Sequence, residues 1–337
     1  MKKFNFYKSI INNKFIELGV RESIAESVSD SLVLATSRGI HSHGINLVNH
    51  YGRSVLTGRK NPKPNFKIDH KYLSSKSLDA DHTFGASAGY YAIENIKNEV
   101  KKFGISSIGV YNSSHCASLT SIALQAVNEG MIFIGFTHAN PLMKSPDSQK
   151  ILFGTNPICI AAPTENKSHP ICLDMATTKI TWNKLKNFKD QKRNLTNNIA
   201  CDSNGEITLD PYSVKSLVPI GGYKGFALAG MIDFLCGPLN GMKFGTDLKD
   251  MYEFRMDKVR ALGQFYICMM PDINIKMKNY FEKTSNFIRM IKEDKDMFYP
   301  GEKENVCEQN SLKNGLILND IEKKSLSDFL KLDSTGI

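Results

Sequence analysis

The chain has 337 residues, 41% hydrophobic and 23% charged. That is the balance of a globular protein with its own core, and it excludes a disordered or fibrous chain. The formal net charge of +9 is scattered along the chain, and no aromatic-interleaved basic motif accompanies it. Nucleic acid is therefore not the expected partner, whereas small anions would be drawn to such a surface.

At roughly 100–200 residues per domain, two domains or one with interleaved parts are expected. Two amphipathic helices are predicted over residues 4–38, with Phe4, Tyr7, Ile10, Ile11 and Phe15 at helical spacing in the first. Ile24, Val28, Leu32 and Ala35 follow in the second, after the break at Gly19. A third helix runs from about Ile45 to Leu56 and stops at Gly58, with Pro62 and Pro64 beyond it. A short apolar stretch at Ser77–Ala80 then precedes a helical segment, Ala86–Phe103. Ile105–Val110, Met131–Phe136, Pro157–Ala162, Ile171–Leu173 and Gly263–Met270 read as strands, and Ser118–Glu129 and Gly225–Leu235 as helices. Residues 183–215 are polar and Asn/Asp-rich and read as loops, while 274–293 and 319–331 read as helices. This order suggests a helical domain made from both ends of the chain with a sheet-bearing domain inserted: 1–70, then 71–250, then a return over 251–337.

No apolar run approaches the roughly 20 residues that span a bilayer, so no membrane is expected. Met1-Lys2-Lys3 have no apolar core behind them, so no secretory leader is expected either. The seven cysteines are odd in number and lack CxxC spacing. They suit buried free thiols in a reducing compartment, the cytoplasm.

Four constellations carry chemistry. His41-Ser42-His43-Gly44 follows Arg38-Gly39-Ile40 at a break between helices. Imidazoles there can give and take a proton near neutrality, or the serine can cap a helix beside two solvated histidines. Asn112-Ser113-Ser114-His115 follows a strand, where a rigid element aims a loop side chain. Gly221-Gly222-Tyr223-Lys224-Gly225 opens an apolar helix and offers unpaired N–H groups and a cation to a phosphate, or is simply a glycine-rich turn. It is no Walker loop, and no GxGxxG follows a strand, so a Rossmann site has no support. Lastly, Gly154-Thr155-Asn156-Pro157 leads to Leu173-Asp174-Met175-Ala176-Thr177-Thr178, where Asp174 can hold a hydroxyl or cap the next turn. Metal-ligand spacing is absent from the sequence.

In order and spacing these segments, with Leu262-Gly263-Gln264 and Tyr299-Pro300-Gly301-Glu302, resemble the malate/L-lactate dehydrogenases that lack a Rossmann fold. That family includes ureidoglycolate, sulfolactate and diketogulonate dehydrogenases. The resemblance implies an α/β, sulfolactate-dehydrogenase-like fold, a mixed-sheet domain inserted in a discontinuous helical one. It implies NAD, or NADP, held at Asp174, Met175, Ala176, Lys224 and Gly225, with Gly301, Glu302 and Lys303 closing over it. It further implies acid/base histidines at His43 and His115, with Ser42 beside them, and a homodimer with its active site near the interface. The implied reaction is hydride transfer between the nicotinamide and a small hydroxy or keto compound, a 2-hydroxy acid or a sugar-derived alcohol. A descendant that binds the cofactor without turnover is the alternative.

Three positions depart from the family pattern. Its members usually carry an arginine, able to pair with a substrate carboxylate, where this chain has Leu47. The usual Gly-Gly before Gly154 reads Asp147-Ser148, and His138-Ala139 stands in place of Asn-Ser. Leu47 leaves two expectations. Either another cation is used, with Arg53 and Arg38 nearest in sequence, or the substrate is less charged at that end.

Overall fold

The computed structural model describes residues 4–196, 198–252 and 256–333; Met1-Lys2-Lys3 lie outside them. Helices α1 (Phe4–Glu17), α2 (Glu22–Ser37) and α3 (Val48–Leu56) form as the apolar spacing predicts. The first turn expected of the third helix is instead a 3-10 turn, Ile45–Leu47. Chain-distant Leu316, Leu318, Leu326 and Phe329 complete the apolar core of this region, alongside Ile11, Phe15 and Leu32. The two ends of the chain thus share one core.

Between them lies a seven-stranded sheet of order β1-β2-β3-β11-β4-β7-β8. Its strands are β1 (Lys67–Tyr72), β2 (Ser75–Asp79), β3 (Ile105–Ser113), β4 (Ile132–Thr137), β7 (Ile158–Ala162), β8 (Ile171–Met175) and β11 (Leu262–Met269). Only β2 and β3 pair in parallel; the other neighbouring pairs are antiparallel. A Rossmann sheet is parallel throughout, so this topology is a different solution. Helices α4 (Gly85–Phe103) and α5 (Leu119–Asn128) cover the sheet with Ala92, Ile96, Ile122 and Ala126, packing on Ile108, Val110 and Phe133. A second sheet holds β5 (Met143–Lys144), β6 (Ile151–Phe153), β9 (Ala200–Cys201) and β10 (Ser216–Leu217).

The remaining helices are α6 (Trp182–Asp190), α7 (Tyr223–Cys236), α8 (Met277–Lys292), α9 (Glu302–Asn314) and α10 (Asp320–Leu330). Two differences from the sequence reading have physical causes. Helix α6, read as loop, buries only Asn183 and Leu185 and so shows no apolar stripe, yet Thr181 caps it by accepting from Lys184 N. β11, read as a strand but grouped with the helical return, lies between β3 and β4 in the sheet. The sheet therefore draws on the chain beyond residue 250, and its alternating buried pattern at Leu262, Gln264, Tyr266 and Cys268 suits an interior strand.

Candidate active site

Strand direction gathers the site. β3, β4 and β8 run the same way, with β7 and β11 opposed, so the ends of the first three and the starts of the last two share one sheet edge. His115 follows β3, Asn140 follows β4, Asp174 lies at the end of β8, Thr155 precedes β7 and Arg260 precedes β11. The helical region brings His43 to the same edge on a 3-10 turn, His41–His43.

The His43 and His115 rings stack with centroids 5.7 Å apart and planes 23° from parallel. Ser42 Oγ lies 2.8 Å from His43 Nδ1. Tyr51 Oη lies 2.8 Å from His115 Nδ1 and donates to the His115 carbonyl at 3.1 Å. Desolvation lowers the pKa of both histidines, and at His115 the neighbouring His43, Arg260 and Lys60 lower it further, to well below 6.5. Both are therefore neutral at pH 7. His41 turns away to Glu322, 3.1 Å off, and that bond raises its pKa.

Two spaces meet at His43. The larger, of about 530 Å³, is lined by Ser42, Asp174, Ala176, Glu304 and Gly301 among others. That volume suits an extended ligand. Gly301 has φ +88°, and a Cβ there would come within 2.8 Å of the Cys172 carbonyl, so this wall has no room for a side chain. Polar and apolar walls together fit a nicotinamide dinucleotide: Asp174 and Glu304 for hydroxyls, Ile40, Leu119 and Leu173 for flat rings. The cap expected of Asp174 falls at a different place, the start of α5 and not the turn after β8: its Oδ2 accepts from Ser118 Oγ, Thr120 N and Thr120 Oγ1, each at 2.8 Å.

The smaller space, of about 60 Å³, is lined by both histidines with Asn140, Asn183, Tyr252 and Arg260; His43, Thr155 and Thr181 line both spaces. Tyr252 Oη donates to Asn183 Oδ1 at 2.9 Å, and Asn183 Nδ2 donates to the Ser42 carbonyl at 2.8 Å. Arg59 Nη1 donates to the Met251 carbonyl at 2.7 Å and so fastens the 250–252 segment over the chamber.

The other expected residues fall as follows. Met175 closes β8, paired with Ile158. Lys224 and Gly225 open α7 after Gly221 and Gly222, both at positive φ, and Lys224 is exposed. The Ile220 N–H to Thr177 carbonyl bond, 2.9 Å, ties this helix start to the strand end beside Ala176. Glu302 pairs with Lys292 at 3.0 Å, and Lys303 sits over the Phe298 ring at 4.2 Å; from this helix Glu304 faces the cavity.

Leu47 is 2% exposed and belongs to the helical core, lining neither space. Neither sequence-near cation replaces an arginine there. Arg53 is exposed, and buried Arg38 is held by Glu308 and Asn305. His138 is likewise structural. Its Nε2 accepts from Gly263 N at 2.9 Å and its Nδ1 faces Asp233 at 3.3 Å, so the proton rests on Nδ1. Sequence reasoning missed Lys60, Asn140, Asn183, Tyr252 and Arg260. Arg260 stood next to the Leu262-Gly263-Gln264 motif, the one local signal that pointed to it.

Two stacked histidines thus stand between a cavity of about 530 Å³ and a polar chamber of about 60 Å³. The chain belongs to the malate/L-lactate dehydrogenase family, whose model matches residues 3–327. It is 30% identical over 328 residues to the NAD(+)-dependent ureidoglycolate dehydrogenase of Escherichia coli K12, covering 95% of this chain and 93% of that one. With the malate dehydrogenase of Pyrococcus abyssi it shares 32% over 294 residues, 84% and 80% of the two chains. The solved sulfolactate dehydrogenase of Methanocaldococcus jannaschii superposes with a TM-score of 0.88 at 26% identity, covering 99% of this chain and 98% of that one.

Proposed function

We propose that this protein is an NAD(P)-dependent dehydrogenase that interconverts a small secondary alcohol and its ketone, with NAD the expected cofactor. The observation that carries the reading is His43 on the wall shared by the two spaces, with His115 stacked on it in the smaller one. When bound, the nicotinamide supplies the hydride chemistry. Asp174, Ala176, Gly301 and Glu304 would hold the cofactor in the larger space, and Met175, Gly225 and Lys224 would serve at its rim. Glu302 and Lys303 support this wall indirectly, through the placement of α9.

His115 takes the hydroxyl proton. Tyr51 has one O–H; donated to the His115 carbonyl, it leaves Oη to accept from Nδ1–H and frees the Nε2 lone pair for the substrate. The Ala117 N–H also donates to Nδ1, at 3.4 Å, a longer and weaker contact than the 2.8 Å one to Tyr51 Oη. His43, braced by Ser42, positions the substrate against the cofactor wall. The chamber, of about 60 Å³, admits only a compact group.

A homodimer is supported by α7. Its exposed stripe of Tyr223, Ala227, Met231 and Phe234, continued by Leu239 and Phe244, is apolar surface that a partner would cover. Six of the seven free cysteines are buried, which favours a reducing compartment such as the cytoplasm. No helix among the described residues is long and apolar enough to cross a membrane. The test is NADH titration followed by turnover of a panel headed by malate, ureidoglycolate and neutral polyols. NADH binding with turnover of a panel member is expected; absence of NADH binding would overturn the reading.

A further inference from the structure

Lys60 is a buried lysine with no part of its own in the proton transfer at His115. It is 3% exposed, and its backbone N–H donates to the Ser54 carbonyl at 2.9 Å, just past α3. Burial and the nearby Arg260 and Arg59 push its pKa well below 10.5, so the position disfavours a charge. Keeping a lysine there is costly, and a residue kept against local cost beside reacting groups points to function. Two contacts lead from Lys60 to His115, and neither needs a charged amine. Its Nζ donates to Ser114 Oγ, which in turn donates to the Thr83 carbonyl at 2.7 Å. That fastens the main chain immediately before His115. Nζ also packs 4.6 Å from the centre of the Tyr51 ring and 5.0 Å from that of Phe84. Tyr51 is 1% exposed, and its Oη meets His115 Nδ1 at 2.8 Å. Lys60, Ser114 and His115 share the walls of one void of only about 10 Å³.

Two groups compete for His115 Nδ1. Tyr51 Oη accepts its proton at 2.8 Å, whereas the Ala117 N–H offers one at 3.4 Å, and the two contacts favour opposite tautomers. Resting on the dehydrogenase reading, we propose that Lys60 is a positioning residue: by pinning Ser114 and Tyr51 from one point, it holds His115 in a single tautomer with Nε2 free for the substrate hydroxyl. Without it Tyr51 is loosened from Nδ1 and the Ala117 N–H takes its place. The ring proton then moves to Nε2, where it blocks proton acceptance. A lysine suits the task because one long side chain reaches both the Ser114 hydroxyl and the face of Tyr51.

The test is Lys60→Met, which keeps the bulk but makes no bond to Ser114, so the side chain is no longer anchored over Tyr51. Nitrogen-15 spectra of the imidazoles report the tautomer in the free protein at neutral pH, with His115 identified by its loss in His115→Gln. Wild type is expected to show one tautomer, protonated at Nδ1, and Lys60→Met a mixture. On any substrate found, kcat should fall about tenfold or more with KM within about twofold, the mark of a step after binding. Thermal stability should hold or rise, since a buried amine is gone. A purely structural lysine would instead lose stability and leave the spectrum unchanged. Tyr51→Phe should reproduce the mixture, and adding Lys60→Met to it should cost much less than Lys60→Met alone. One unchanged tautomer in Lys60→Met would overturn the proposal, as would wild type protonated at Nε2 or full additivity in the double variant. If Lys60→Met does not fold, Ser114→Ala, which removes the same bond, decides by the same spectrum. NADH titration runs alongside. Its failure would sink the dehydrogenase reading, while the spectra, taken without cofactor or substrate, would still judge the hold on His115.

Discussion

The two spaces that meet at His43 are built in different ways. The larger is made by short runs of consecutive residues: 38–43, 117–120, 172–174 and 300–301. The smaller has runs too, at 139–140, 181–183 and 250–252, but takes His43, His115, Thr155 and Arg260 as isolated side chains. Runs hold a ligand through backbone and small side chains, so their sequence is constrained as a motif. Isolated positions hold it through single side chains, and each can change without disturbing its neighbours. The cofactor half of such an enzyme is therefore expected to be conservative and the substrate half free to move its charges.

The largest test of that contrast is His115→Ala. Turnover of any substrate found should fall about 10²–10⁴-fold, the usual contribution of a general acid/base, while the NADH dissociation constant stays within about twofold. Wild-type kcat in the mutant would remove His115 from the chemistry and blur the division between the halves.

Leu47→Arg comes next. An arginine placed among Ile11, Phe15 and Val48 is a buried charge without a partner, costing about 3 kcal/mol or more in stability. Urea unfolding should show that loss, and activity on hydroxy acids should not rise. A stable variant with selective gain on acids would place a carboxylate anchor at this position.

Lys224→Ala probes the rim of the larger space. Lys224 is exposed, so thermal unfolding should be unaltered. A charged contact to a cofactor phosphate is worth about 1.5 kcal/mol at the low end, or close to a tenfold weaker NADH affinity. An unchanged affinity would confine the cofactor to the cavity walls.

The smallest effect is on pH dependence. Burial and the neighbouring Lys60 and Arg59 push His50 down to about 3 from 6.5. Below pH 6.5 the unfolded chain takes up a proton that the folded chain refuses, so stability is complete above that value and declines toward pH 3. The first unit of that decline costs at most about 1.4 kcal/mol. His50→Gln should flatten the slope of unfolding free energy between pH 6.5 and 5.5; an equally steep slope would mean that His43 and His115 supply it. By the same depression, turnover that uses neutral His115 should persist below pH 6.

The sequence reveals what periodicity and motifs encode. Helices with an apolar stripe and strands with β-branched runs are readable, as are His43, His115 and Asp174, which sit in short signatures. Strand β1 is not, because its outward residues leave no alternation to detect: only Ile68 is even half-buried. Helix α9 buries Asn305 alone of its side chains and reads as polar chain. The small chamber is invisible for another reason. Nothing marks Lys60, and only the nearby Leu262-Gly263-Gln264 motif marks Arg260, until the antiparallel order of β3, β11 and β4 gathers these residues near His115. His138 and Leu47 mislead in the opposite sense: both look like altered substrate positions, and both point into packing.

The central place of β11 bears on how the chain is made. Residues 262–269 must pair with 105–113 on one side and 132–137 on the other. During synthesis, β3 and β4 wait with facing edges unpaired until residues 262–269 have emerged. Such distant pairings slow folding, and open strand edges invite association in the interval. Helices α4 and α5, finished early and packed over β3 and β4, shield one face of those strands during the wait. Truncation before residue 269 should therefore yield insoluble chains, not a smaller folded domain.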